Sequence, residues 1–402
     1  MPMASIKIGF GTFVTNIWII SLWVLIVVDI ITKYTHVYGG DLIRISLLVR
    51  GIFEMFLIFQ LIIFRKLIVN KTFIYISLLL VLFLISRMCY IINNNDYEIK
   101  ENLIQLNKYI FLFLCFLSLK LIENINISRL FKTVGIIYIV NSIFILLGVI
   151  FEIRLFESYY DKPYRFGYSG GILETNAATF VIILSIGTFY YYWAHKAKYK
   201  YVFFLILISS LLTGIKGVYG FVLLLAFYHL YKSNLKFKIK FAGLLFISLI
   251  ILSPVIIEYF QNNIYLFDFF IKTSTQNGFL YMLLSGRHTY IESRGLELLN
   301  NWKSLNFLGG YQDVNYLIEM ELFDLFLYFG ALGSIIYLFV FFKNFIIKGG
   351  SFWNFILISI IAVAFLGGHF LTSSVSHMYF TITYFYFYFE KAISNEKNII
   401  NK

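Results

Sequence analysis

The segment L-I-E-M-E-L-F-D-L-F carries three carboxylates, Glu319, Glu321 and Asp324, into the start of a long apolar run. In a helix, Glu321 and Asp324 are three residues apart and neighbours on one face, whereas Glu319 points elsewhere. Asp324 then lies about 7.5 Å deeper along the axis than Glu319. A carboxylate at that depth is costly and normally faces a protein interior or a cavity. Such a group can act as a general base towards a hydroxyl. The competing explanation is that acids complement a helix N-terminus; it covers Glu319 well and Asp324 poorly.

A second group is cationic. S-G-R-H-T-Y-I-E-S-R-G-L-E-L-L-N-N-W reads as a helix from about Ser285, an N-cap, to about Asn301. Arg287 and Arg294 share a face of it, about 10 Å apart along the axis. Two guanidiniums so placed suit a diphosphate, because each can bind phosphate oxygens bidentately. An ordinary solvated face paired with Glu292 or Glu297 remains equally open. Lys216, in T-G-I-K-G, and Arg87 either reach a phosphate or snorkel. Tyr290, Arg87 and His369, the last in G-G-H-F, are the further candidates for substrate contact. Arg50 and Glu54 read as a buried i,i+4 ion pair. His288, His369 and His377 have no metal-ligand spacing, and there is no phosphate-binding glycine loop or G-x-S-x-G elbow. No cofactor is expected.

The elements that must position these groups follow from composition. Of 402 residues 60% are hydrophobic and 13% charged, and the mean hydropathy is +0.81. Soluble domains carry about 25% charged residues, so a soluble enzyme, a disordered tail and a disulfide scaffold are all excluded. Cys89 and Cys115 both lie in apolar runs and make no framework. Apolar windows fall near 13–32, 42–64, 73–92, 103–122, 131–151, 172–193, 200–213, 215–231, 239–257, 318–342, 351–367 and 371–390. Runs this long and continuous are helices, since lipid leaves no other way to satisfy the backbone. The expected fold is therefore all-α, a polytopic integral membrane protein of about twelve transmembrane helices. The short seventh and eighth windows read as a hairpin around Gly214 and Gly217.

Three regions result. Positions 1–257 hold spans one to nine, with a short outer loop at 152–171. Positions 258–317 form a large, partly helical outer loop, and 318–402 hold spans ten to twelve and a tail. The first run is too long for a signal-peptide core, so it is expected to stay as a span. Net charge is +12, and the basic residues sit in short loops without interleaved aromatics, which argues for topology signals facing anionic lipid and against nucleic acid. Placing the N-terminus inside puts roughly twice as many Lys and Arg in inner segments as in outer ones. Both termini are expected to be cytoplasmic.

The chain resembles the O-antigen and capsule repeat-unit polymerases, the Wzy family, within the superfamily that includes the O-antigen ligases. The likeness covers roughly 160–390. It rests on R-F-G-Y-S-G-G-I-L-E-T-N-A (165–177), L-L-T-G-I-K-G (211–217), L-L-S-G-R (283–287), E-M-E-L-F-D-L-F-L-Y-F-G-A-L-G (319–333) and G-G-H-F (367–370). The resemblance implies a GT-C-like, metal-independent glycosyltransferase in the bacterial cytoplasmic membrane with an outward-facing site. It would join undecaprenyl-diphosphate-linked oligosaccharide repeat units, lengthening the chain at its lipid-linked end. The donor and acceptor glycolipids would be its partners, with a chain-length regulator and a flippase as protein partners. Carried over by position, Arg165, Arg287 and Lys216 would hold the diphosphate, with Arg294 assisting. Lys216 stands where the family often has arginine. Where the ligases have a histidine, this chain has Glu319, Glu321 and Asp324, which favours polymerase over ligase. A ligase acting on lipid A core, and a lipid-linked oligosaccharide transporter, are the competing functions.

Overall fold

The computed structural model describes residues 2–39, 45–63, 70–93, 99–160, 166–233, 306–310 and 320–400, with single positions at 275, 278, 281, 286, 287, 289, 304 and 318. Its elements are helices α1 (Pro2–Tyr38), α2 (Ile45–Ile63), α3 (Lys71–Asn93), α4 (Ile99–Leu121), α5 (Ile127–Ile150), α6 (Thr175–Lys196), α7 (Lys200–Leu211) and α8 (Lys216–Lys232). The short α9 (Asn306–Gly309), then α10 (Glu321–Phe345), α11 (Ser351–Gly367) and α12 (Ser374–Ile400) follow. The expected ninth span, 239–257, lies outside the described residues; each of the other eleven apolar windows coincides with a helix.

Seven helices among the described residues are long and apolar enough to cross a membrane: α1 over Gly9–Tyr38, α2, α3 over Lys71–Met88, α4 over Lys100–Leu121, α5, α6 and α10. The protein is thus an all-helical, polytopic membrane protein. Helix α7, with 12 residues, measures about 18 Å, short of the roughly 30 Å hydrocarbon core. It meets α8 through a turn at 212–215, as the glycines there suggested. The packing is that of a protein in lipid. Large apolar side chains such as Met55, Ile62, Ile335 and Ile358 face outwards, while Gln60, Ser118, Ser376, Thr381 and Thr383 are buried. Gln60 accepts a hydrogen bond from Ser118 at 2.6 Å between α2 and α4.

Local chemistry fixes the helix ends. Asn126 caps α5, its side chain accepting from the Arg129 N–H. At the end of α10, Trp353 donates to the Phe345 carbonyl, and the Asn354 amide closes on both backbone groups of Ile347. These bonds satisfy carbonyls that a helix C-terminus leaves open.

Nothing in the residue pattern marks the break in α10. Gly330 sits at φ 70°, ψ −176° inside it, a conformation that disfavours any L side chain. Helix α9 occupies the break so closely that a Cβ on Gly330 would lie 2.3 Å from the Asn306 carbonyl oxygen. Arg87 of α3 donates to the Tyr328 carbonyl at 3.1 Å, and Ser334 to that of Leu325 at 2.9 Å. A discontinuous membrane helix is tolerated when side chains take up its freed backbone groups.

Candidate functional site

Glu321 and Asp324 occupy the first turn of α10 and are 1% and 3% exposed. They share one face, as three-residue spacing requires, and lie within each other's electrostatic reach. Asp324 reaches back to accept the Ile318 N–H at 2.6 Å, which fixes its rotamer. The Glu321 carboxylate is approached by the N–H groups of Phe370 and Leu371, in the turn between α11 and α12. Its Oε2 is buried with no hydrogen-bond partner among the described residues, and so is the hydroxyl of Tyr109 on α4. Tyr109 lies within electrostatic reach of both carboxylates, and Tyr337 of Glu321. Buried polar atoms without partners are uncommon enough to mark a place where a ligand or water completes the set.

A cationic group reaches the same turn. The Arg287 guanidinium lies over Gly367 at the end of α11, where a Cβ would come within 2.4 Å of Nη1. Lys216 opens α8, and its neighbour Gly217 packs against Val363 and Thr179. Val363 is one turn before Gly367 on α11, so the start of α8 packs beside the end of α11 that Arg287 covers. His369 follows Gly367 by two residues and is half-buried in the connecting turn.

The R-F-G-Y-S-G-G segment joins this assembly through its backbone. Tyr168 N–H donates to the Leu212 carbonyl at 3.1 Å. A Cβ on Gly167 would fall 2.1 Å from the Thr213 oxygen, and one on Gly214 would fall 2.0 Å from that of Phe166. Only glycines allow two backbones so close. From below, Lys33 of α1, 1% exposed, donates to Ser169 Oγ at 3.0 Å and to the Gly170 carbonyl at 3.1 Å. Asn141 accepts from the Gly171 N–H at 2.9 Å. The described parts of the loop expected at 152–171, residues 152–160 and 166–171, hold a 3₁₀ turn at Arg154–Phe156 and a bridge between Glu157 and Tyr168. Glu157 lies near Arg154 and Lys33, but desolvation outweighs both and raises its carboxyl above the ordinary range.

Several expectations need placing. Arg165, Arg294, Glu319 and Tyr290 lie outside the described residues, as does most of the arginine-bearing helix expected at Ser285–Asn301. Within that stretch Arg287 and Thr289 are helical and Gly286 forms a turn at φ 80°. Arg87 is 3% exposed and packed over the Phe83 ring at 4.6 Å. The i,i+4 pair Arg50–Glu54 is not formed: Arg50 pairs with Asp29 at 3.1 Å and Glu174 at 3.6 Å, and Glu54 accepts from Asn107 at 2.7 Å. Desolvation explains the choice, since Asp29 is buried and needs the cation more than the half-exposed Glu54 does. Asp29 and Lys33, four residues apart in an apolar run, were the signal that sequence reasoning passed over. No cluster of metal-ligating side chains occurs among the described residues.

The arrangement defines a helical membrane protein with a buried acid pair at one end of its bundle and the Arg287 guanidinium at the adjoining turn. No family model, curated protein or solved structure matches the chain.

Proposed function

We propose that the protein is a membrane glycosyltransferase that polymerises lipid-diphosphate-linked oligosaccharide repeat units, of the O-antigen or capsule type. The observation that carries this reading is that the Glu321 carboxylate and the Arg287 guanidinium both lie against the turn after α11, with the start of α8, which Lys216 opens, packed beside that end of the helix. They come from three separate sequence segments, and each segment belongs to the resemblance. In the proposed reaction an acceptor hydroxyl attacks the anomeric carbon of the donor. Its proton passes to Glu321, with Asp324 second in line, as the bond from carbon to the diphosphate oxygen breaks. Arg287 and Lys216 stabilise charge developing on the departing diphosphate. Membrane anchoring of both substrates supplies proximity. The twelve-span topology, with both termini cytoplasmic and the site outward, belongs to this proposal.

Deleting the gene in its native host and resolving the surface glycan by gel tests it. Loss of the long ladder, with a single repeat unit left on the acceptor, supports polymerisation. Bare acceptor with accumulated lipid-linked polymer would mean ligation instead.

Transport of a lipid-linked oligosaccharide is the second reading, and the break at Gly330 favours it, because transporters use discontinuous helices at their binding sites. In that case the deletion leaves lipid-linked repeat units on the inner leaflet.

A further inference from the structure

At the other end of the bundle, on the order of 30 Å from Glu321 along α10, lies a cavity of about 500 Å³ between the ends of α4 and α10, the start of α5 and the middle of α12. That volume is within the range of small-ligand sites, roughly 300–1,000 Å³. Lys120 and Lys343 stand on its wall, close enough to repel each other. Neither forms an ion pair among the described residues. Aromatic faces hold them instead: Lys120 Nζ lies 5.1 Å from the Phe116 ring, and Lys343 Nζ lies 4.7 Å from Tyr75 and 5.2 Å from Phe339. A ring quadrupole orients an ammonium but leaves its net charge in place. Glu123, the acid on this wall, is exposed to solvent, as Lys120 and Lys343 are, and leaves the three charged side chains with a net positive charge.

The remaining wall has two characters. Asn124 and Tyr388 bring neutral hydrogen-bonding groups, while Phe389, 45% exposed, presents an apolar edge. Cations and neutral donors beside an exposed apolar edge match a phosphate that carries acyl chains. A free anion would have no use for the apolar edge. We propose that this cavity binds the phosphate headgroup of an anionic phospholipid from the adjoining leaflet, with Lys120 and Lys343 as its two cationic contacts. The site is independent of the chemistry at Glu321, and its test needs no enzymatic activity.

The test is native mass spectrometry of the full-length protein released from nanodiscs of equimolar phosphatidylglycerol and phosphatidylcholine. The wild type should retain phosphatidylglycerol preferentially, and the K120Q/K343Q pair should lower that preference about thirtyfold, from two cations. K120R/K343R should keep it. K132Q/K348Q removes the same charge from exposed positions at this end of the bundle that do not line the cavity, and should change little. Equal losses in the two Gln pairs would reduce the effect to surface charge and overturn the site. So would unchanged retention by K120Q/K343Q. Displacement of the lipid by millimolar inorganic phosphate would assign the cavity to a free anion and overturn the lipid. Helix content and the thermal midpoint of each variant, matched to the wild type, exclude misfolding as the cause.

Discussion

Arg87 donates its Nη2 to the carbonyl of Tyr328 at 3.1 Å, two residues before the break in α10 at Gly330. The guanidinium is stacked on Phe83 and lies 5.3 Å from the Tyr328 ring. A side chain that sequence alone offers as a phosphate ligand therefore supports the helix that carries the two carboxylates. Arg87→Met should leave a buried carbonyl unsatisfied and cost about 1–3 kcal/mol. A lowered thermal midpoint in detergent checks this, and an unchanged midpoint would contradict it.

The break itself can be tested with a single methyl group. Gly330→Ala places a Cβ against the Asn306 carbonyl at a positive φ with extended ψ, a region open essentially only to glycine, which alone costs roughly 1–3 kcal/mol. The clash adds to this, so the yield of folded protein in membranes should fall sharply. Gly220→Ala, in α8 with nothing within 4 Å of the new Cβ, should be neutral or stabilising by about 0.5–1 kcal/mol. Equal yields for the two variants would show that α10 does not need its break.

How much of this was legible in the sequence depends on what each feature rests on. The helices were visible because lipid demands long apolar runs, and runs such as 131–151 are interrupted only by single residues or pairs of polar character. Asp324 was marked as a buried acid by depth alone, and its burial follows. The break at Gly330 was hidden, because a glycine between Phe329 and Ala331 looks like any small residue in a membrane helix; only the approach of α9, distant in sequence, makes it necessary. Arg50 was matched to Glu54 by local spacing, while its actual partner Asp29 comes from another helix. Local periodicity cannot rank partners by burial.

Lys33 should control the order of the R-F-G-Y-S-G-G loop. Its ammonium ties Ser169 and Gly170 together, and Lys33→Met leaves both acceptors without their donor, at a cost of about 1–3 kcal/mol. Hydrogen exchange at the Tyr168 and Gly171 amides should speed up, since these donate to Leu212 and Asn141. Unchanged protection there would mean that the loop is held from elsewhere.

The acid pair should separate chemistry from folding. Glu321→Gln keeps shape and should lower polymerisation at least about 100-fold, the usual scale for loss of a general base. Asp324→Asn preserves the acceptor for the Ile318 N–H, so it should fold normally and lose less activity. Arg287→Ala should cost about thirtyfold, the equivalent of one charge-assisted contact of about 2 kcal/mol. Retention of normal polymerisation by both carboxylate variants, correctly inserted, would remove Glu321 and Asp324 as the base.

The most direct measurement is made with the purified protein reconstituted in lipid vesicles and supplied with a lipid-diphosphate-linked repeat unit. The account predicts lipid-linked dimers and longer chains, with one lipid diphosphate released per bond formed, and almost none of either with Glu321→Gln. Movement of the intact glycolipid across the bilayer without any new glycosidic bond would contradict it and make the protein a transporter.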